Sequence, residues 1–311
     1  MAKAKNFTEE YVLINGISQY FLHIPNDSKD VIIMLHGGPG IPNSYVAYYQ
    51  QPYINFCNAV YYDQRGAGKT RIKNKTNPDS LSLGVMLEDL KSTIQYVKEK
   101  YITDRVFLVG HSWGTVLGTE YILKYPNDVA GFIACSVCVD MTTTDKIWYD
   151  DLREKVLKSG NKKDIKKLNS VNVDYPNISS DEYARTTPIL SSLEFKYGYS
   201  TIDDFTQIYR KSPIMTFRDG YQMGNAEKFN HKILDVFHGY NIRSIKEYQT
   251  PVYYVLGRHD KWTDSYVAAE YFETINAPKK GLFWIENAGH ELDLDNPTDF
   301  FSTIKEILSP L

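Results

Sequence analysis

Apolar residues fall into two rhythms along this 311-residue chain. Short unbroken runs have the length and β-rich content of strands buried on both faces: Val31-Ile32-Ile33-Met34-Leu35, Ala59-Val60-Tyr61-Tyr62, Val106-Phe107-Leu108-Val109 and Val252-Tyr253-Tyr254-Val255-Leu256. Between them the spacing lengthens to three and four. Val85, Leu87, Leu90, Ile94 and Val97 mark a helix over Leu83 to Tyr101, Thr115 to Lys124 reads as another, and Ser44 to Gln51 as a short one. Strand-like pieces at Glu10 to Ile14 and Gln19 to His23 come first. This alternation predicts an α/β fold with a mostly parallel sheet and helices on both of its faces.

After the apolar run Phe132 to Val139 the texture changes. Met141 to about Tyr248 has little strand signal, but it contains amphipathic stretches at Asp145 to Leu157 and Thr201 to Tyr209, with polar loops at Asn161 to Lys163 and Asn177 to Ser180. The α/β rhythm resumes at Pro251, with a helix over Asp264 to Thr274, a strand over Leu282 to Ile285 and a closing helix over Asp299 to Leu308. The expected organisation is an α/β core in two parts, residues 1–140 and 249–311, with a mainly helical cap at 141–248 inserted between them.

A charged fraction of 23% and a net charge of −3 leave no basic excess to attract nucleic acid or an anionic membrane. Met1 to Asn6 has no apolar stretch of the signal-peptide kind, and no run approaches the ~18 apolar residues of a membrane helix, so a cytoplasmic protein is expected. Nothing in the chain specifies an oligomeric state. The cysteines Cys57, Cys135 and Cys138 have no metal-type partners and read as structural thiols. The 25 tyrosines suggest pocket walls that are apolar with a polar rim, alongside ordinary core packing.

The chemistry begins at Gly110-His111-Ser112-Trp113-Gly114, between a predicted strand and a predicted helix. A Gly-x-Ser-x-Gly turn in that setting presents a serine hydroxyl at the edge of a sheet. A hydroxyl needs a base to take its proton and a third group to orient that base, with the acid first along the chain and the histidine second. Asp260 follows the strand ending at Leu256, and His290 follows the strand ending at Ile285. Ser112, His290 and Asp260 are therefore the candidate nucleophile, base and orienting acid, with Asp140 as the rival acid. His36-Gly37-Gly38-Pro39-Gly40 follows a buried strand and leaves backbone N–H groups unobstructed, so Gly38 and Trp113 are the candidate oxyanion donors. This scheme needs no metal or organic cofactor. Asp63 to Thr70 ends in Gly-Lys-Thr, but Asp63 stands where a phosphate-binding loop needs its first glycine. A loop-stabilising role for Asp63 and Arg65 is expected instead.

Taken in order, His36-Gly37-Gly38-Pro39-Gly40, Asp63-Gln64-Arg65-Gly66-Ala67-Gly68, the Ser112 pentapeptide, Gly257-Arg258-His259-Asp260 and Gly289-His290 resemble the proline iminopeptidase branch of the α/β-hydrolase superfamily. The resemblance covers nearly the whole core and implies the same roles for Ser112, His290, Asp260, Gly38 and Trp113. It also implies removal of an N-terminal residue, often proline, from short peptides, with relatives that cleave other amides or esters. The partner is then a small molecule or a short peptide. Two departures stand out. His111 occupies a position that is often glycine, and Lys261 follows Asp260 where some members carry a glutamate for the substrate ammonium. Glu194, Asp203 and Asp204 are the cap carboxylates that the resemblance offers for that task.

Overall fold

The computed structural model describes residues 7–172 and 174–309; Met1 to Asn6 lie outside them. Eight strands form one sheet: β1 (Thr8–Ile14), β2 (Ile17–Ile24), β3 (Val31–Leu35), β4 (Asn58–Tyr62), β5 (Val106–His111), β6 (Gly131–Cys135), β7 (Val252–Gly257) and β8 (Lys280–Ile285). Their order is β1-β2-β4-β3-β5-β6-β7-β8. β1 and β2 are antiparallel, β2 is antiparallel to β4, and every pairing from β4 to β8 is parallel. The unbroken apolar runs behave as expected, since every residue of β3 and β4 is buried.

In the first part of the chain the helices are α1 (Ala47–Gln50), α2 (Gly68–Lys73), α3 (Leu83–Tyr101) and α4 (Trp113–Lys124). Ser82 caps α3 by accepting from Val85 N, and Met86, Leu87, Leu90, Ile94 and Val97 are buried against the sheet. Val85, counted with that stripe from its spacing, is exposed instead. The segment between β6 and β7 holds only helices among the described residues: α5 (Met141–Lys158), α6 (Lys162–Leu168), α7 (Ser180–Tyr197), α8 (Phe205–Arg210), α9 (Phe217–Met223), α10 (Ala226–Phe229) and α11 (His231–His238). The chain closes with α12 (Ser265–Glu273), α13 (Leu292–Asp295) and α14 (Pro297–Leu308). No helix among the described residues is long and apolar enough to cross a membrane.

Two boundaries differ from the sequence pattern. The run Phe132 to Val139 leaves the sheet after Cys135, because Ser136 adopts φ 51°, which no extended ladder accommodates. Val137 and Val139 are buried all the same. The amphipathic stretch at Thr201 to Tyr209 is helical only from Phe205, where Asp204 caps the helix through Thr206 N.

The helical segment is tied to the sheet through the Gly-Lys-Thr loop. Asp63 is fully buried and accepts from Lys69 N at 2.7 Å and Ser44 Oγ at 2.6 Å. Lys69 Nζ then reaches Asp219 on α9 at 3.2 Å, and Tyr45 OH donates to the other oxygen of the same carboxylate at 2.9 Å. Arg65 pairs with Asp89 on α3, at 2.6 and 2.9 Å, not with Asp63. The loop is a fastening between the sheet and α9.

Candidate active site

Ser112 sits between β5 and α4 with φ 52° and ψ −119°, a backbone state that a serine holds only where its surroundings enforce it. The glycines around it answer to close approach. A Cβ at Gly114 would lie 2.0 Å from Leu35 O, and one at Gly110 would lie 2.5 Å from Gly114 O, so any side chain would push the turn away from β3. The backbone N–H of Ser112 donates to Cys135 O at 3.1 Å. Trp113 opens α4, so its N–H has no partner inside the helix and points with the helix's positive end. The Gly37–Gly38 loop lies alongside, for a Cβ at Gly37 would be 3.2 Å from Ser112 Cβ.

Gln64 joins these two loops. Its N–H donates to His36 Nε2 at 3.1 Å, its side-chain amide donates to His36 O at 3.1 Å, and its Oε1 accepts from Trp113 Nε1 at 3.1 Å. His36 therefore carries its proton on Nδ1, which bonds Gly37 O at 3.0 Å. Burial pushes this imidazole down to about 4, with the Gly37 bond opposing, so His36 is a neutral strut at physiological pH.

Asp260 and His290 come from the loops after β7 and β8 and meet at 3.1 Å, His290 Nδ1 donating to Asp260 Oδ2. Thr263 completes the carboxylate's shell, its N–H donating to Oδ1 at 3.1 Å and its hydroxyl to Oδ2 at 2.8 Å. Burial favours a neutral acid at Asp260, but the His290 charge and these hydrogen bonds outweigh it and hold the carboxyl well below the usual range. Burial likewise disfavours a charged His290, and the Asp260 charge and bond overcome it, so the imidazole is a stronger base than an isolated one. Asp140 is engaged elsewhere. It caps α5 through Thr143 and pairs with Arg243 at 2.9 Å.

The backbone of His290 is held as firmly as its ring. His111 Nε2 donates to His290 O at 2.8 Å, and Ser136 Oγ donates to the same oxygen at 2.7 Å. Asp295 accepts from Gly289 N at 2.8 Å and, through its other oxygen, from Ser200 Oγ at 2.6 Å and Thr201 N at 2.9 Å. Ser136 and Asp295 lie in no motif, and the Asp63 to Gly68 motif that contains Gln64 assigns it no role of its own; their parts emerge only when distant segments are folded together. His111, His290 and Glu291 also offer ligand atoms within 4.8 Å of one another. His290 Nδ1 and His111 Nε2 are already hydrogen-bonded, so metal binding would draw on the remaining ring nitrogens.

The carboxylates named from the sequence fall in different places. Glu194 lies on the inner side of α7, where Oε2 accepts from Trp148 Nε1 at 2.7 Å. Trp148 stacks on Trp262 with ring centroids 5.1 Å apart, and Trp262 packs on His290 at 4.8 Å. Burial raises the proton affinity of Glu194, and the Trp148 bond opposes it; Asp260 and His290 are near enough for their charges to act on it. Asp203 is exposed, and Asp204 is spent on capping α8. Lys261 turns to Asp264 at 3.0 Å and lies over the Tyr266 ring, so its charge is already matched.

The chain belongs to the α/β-hydrolase fold family, whose sequence profile matches residues 30–297. It is a hydrolase, and the relatives it resembles over nearly its full length are aminopeptidases. It is 24% identical to a probable aminopeptidase, YbaC, of Bacillus subtilis (strain 168), over 96% of this chain and 92% of that one. It is 23% identical to a proline iminopeptidase of Heyndrickxia coagulans, over 98% and 100% of the two chains. The crystal structure of a proline iminopeptidase from Mycobacterium smegmatis superposes with a TM-score of 0.71 at 16% identity, covering 97% of each chain, a likeness of fold.

Proposed function

We propose that the protein is a serine aminopeptidase that acts on short peptides through an acyl-enzyme. Ser112 attacks the carbonyl carbon of the first peptide bond as His290 Nε2 takes the hydroxyl proton, and Asp260 keeps the imidazole in the required tautomer. The tetrahedral oxyanion is received by the N–H groups of Gly38 and Trp113, the second of them at the positive end of α4. His290 returns the proton to the leaving amine, and water activated by the same base then releases the N-terminal residue. The observation that carries the serine chemistry is the His290–Asp260 pair, 3.1 Å apart with Asp260 buried, at the same end of the parallel strands as Ser112, which is held at φ 52°.

The peptidase rather than esterase reading rests on Glu194. A free N-terminus brings an ammonium that needs a carboxylate near the reacting carbonyl, and Glu194 is linked to His290 through the Trp148–Trp262 indole pair and is near enough for the two charges to act on each other. Lys261 does not oppose this, because Asp264 takes up its charge. The aromatic wall of Trp148, Trp262 and Phe195 equally suits an uncharged acyl group, which keeps an esterase or amidase as the second reading. The fold serves many hydrolytic chemistries, so the decision lies with substrates. Rates are to be compared on alanyl- and prolyl-arylamides, on their N-blocked forms and on short-chain aryl esters, with Ser112→Ala as the blank. Free arylamides are expected to be cleaved best, and Ser112→Ala should lower turnover by roughly three orders of magnitude or more. A preference for blocked amines or esters would move the assignment to the second reading, and an active Ser112→Ala protein would remove both.

A further inference from the structure

Helices α5 and α7 share an apolar core, with Leu152 and Val156 in one cluster with Leu190 and Leu193, but the seam turns polar near the start of both helices. On α5, Asp145 is 1% exposed, and neither of its carboxylate oxygens has a hydrogen-bond partner. On α7, Tyr183, Thr187, Ser191 and Glu194 stand at i, i+4, i+8 and i+11, which places them on one face of the helix. Ser191 Oγ is buried and unpartnered, as is the hydroxyl of Tyr175 just before α7. The Tyr175 and Tyr183 rings stack 5.8 Å apart, and their hydroxyls come close enough to Asp145 to act on its proton affinity without meeting hydrogen-bond geometry. Buried polar groups are almost always paired, so the open Asp145 carboxylate on this seam points to a ligand that brings it a donor.

The seam runs toward the reacting centre. Trp148, one turn beyond Asp145 on α5, bonds Glu194 and packs on the Trp262 ring that covers His290. Asp145 and Asp260 are both near enough to Cys138 to bear on its thiol. Trp148 thus stands one turn from Asp145 along α5 and is bonded to Glu194 on α7, and neither acid forms a salt bridge with a lysine or arginine among the described residues. An indole between carboxylates suits an aliphatic stem ending in a cation, which packs its methylenes on the ring and carries its charge beyond.

We propose that Asp145 closes the far end of the pocket for the substrate's first residue and selects N-terminal residues with a cationic side chain, an amine of the lysine or ornithine type or a guanidinium. This rests on the aminopeptidase reading, in which Glu194 receives the α-ammonium. The test compares kcat/KM on lysyl-, arginyl-, leucyl- and alanyl-arylamides for the wild type and Asp145→Asn. The wild type is expected to favour the basic residues over leucyl by about 10-fold or more, and Asp145→Asn to lower the lysyl-to-alanyl ratio by about 10- to 100-fold, the effect of losing a charge-assisted bond. A ratio does not depend on the fraction of variant that folds. Calorimetric binding of lysinamide and norleucinamide to Ser112→Ala gives the same contrast without turnover, lysinamide being expected to bind tighter by a similar factor. Indifference between lysyl and leucyl, or a ratio unchanged in Asp145→Asn, overturns the proposal and leaves Asp145 as a neutral acid among tyrosines. If alanyl-arylamide is cleaved without basic preference, this inference alone fails. If aryl esters are cleaved and no free arylamide is, the aminopeptidase reading fails with it.

Discussion

His111 donates from Nε2 to the backbone carbonyl of His290 at 2.8 Å, so the residue beside the candidate nucleophile braces the candidate base. Ser136 Oγ binds the same oxygen at 2.7 Å. A neutral hydrogen bond contributes about 0.5–1.5 kcal/mol, and a buried carbonyl left with none costs about 1–3 kcal/mol. His111→Gly is therefore expected to lower kcat/KM roughly 2- to 10-fold, and Ser136→Ala about as much. The double variant should lose more than the product of the single losses, because only then is the carbonyl bare. A double-variant cycle of rates measures this, and strictly multiplicative losses would show that the two donors do not share the task.

Glu194→Gln keeps an acceptor for Trp148 Nε1 and removes only the charge. A hydrogen bond to a charged group contributes about 1.5–3 kcal/mol, so the ratio of kcat/KM on free to N-blocked alanyl-arylamide is expected to fall roughly 10- to 150-fold. Taking the ratio cancels any general effect on turnover. An unchanged ratio would place the ammonium elsewhere, with Glu291 beside His290 as the next carboxylate to replace.

What could be read from the chain depended on whether a signal was local. The strands β3 and β4 and the stripe on α3 are set by short apolar patterns, and apart from the exposed Val85 they lie where those patterns put them. Asp260 and His290 were chosen by their order after strand-like runs, and they lie hydrogen-bonded to each other. The apolar run Phe132 to Val139 does not show where its strand ends, because apolar composition reports burial, whereas pairing ends where Ser136 takes a positive φ. The roles of Gln64 and Ser136 are not legible in the chain, although Gln64 lies in a motif, because each acts across the fold, on Trp113 and on His290, and neither residue type announces such a partner. Asp145 looked like one charge in an amphipathic stretch. That it faces inward depends on α7, far along the chain.

Asp145 should make stability fall as pH rises. Burial pushes its carboxyl up to about 7, with Tyr183 and Tyr175 opposing, so the folded chain holds a proton there that the unfolded chain gives up near its ordinary value of about 4. Between those values the native state binds more protons than the unfolded state, and stability declines with increasing pH. Asp63 is pushed up to about 7 and Asp293 to about 6, chiefly by burial, so the wild-type curve carries their contributions too. The difference between Asp145→Asn and wild type isolates one group. The variant's advantage in Tm is expected to be larger at pH 8 than at pH 5 by a few degrees, roughly what one or two kcal/mol does to a chain of this size. A difference that is flat with pH would mean that Asp145 is paired in the folded protein.

Lys69 and Asp219 fasten the helical segment to the sheet. Asp219 is 1% exposed and Lys69 14%, and their 3.2 Å contact is one point in a chain that runs from Asp63 through the Gly-Lys-Thr loop to α9. Removing one partner of a buried pair leaves an uncompensated charge and costs about 3–5 kcal/mol, whereas neutralising both is far less harmful. Lys69→Met is expected to lower Tm by roughly 5 °C or more, and Lys69→Met combined with Asp219→Asn to recover much of that. Tyr45 and Thr216 still donate to Asp219 in the single variant, so the loss should be local first. Limited proteolysis of Lys69→Met should cut within residues 200–230 before the sheet is touched. Unaltered melting and an unaltered cleavage pattern would show that α9 is held by its packing and that the ion pair is incidental.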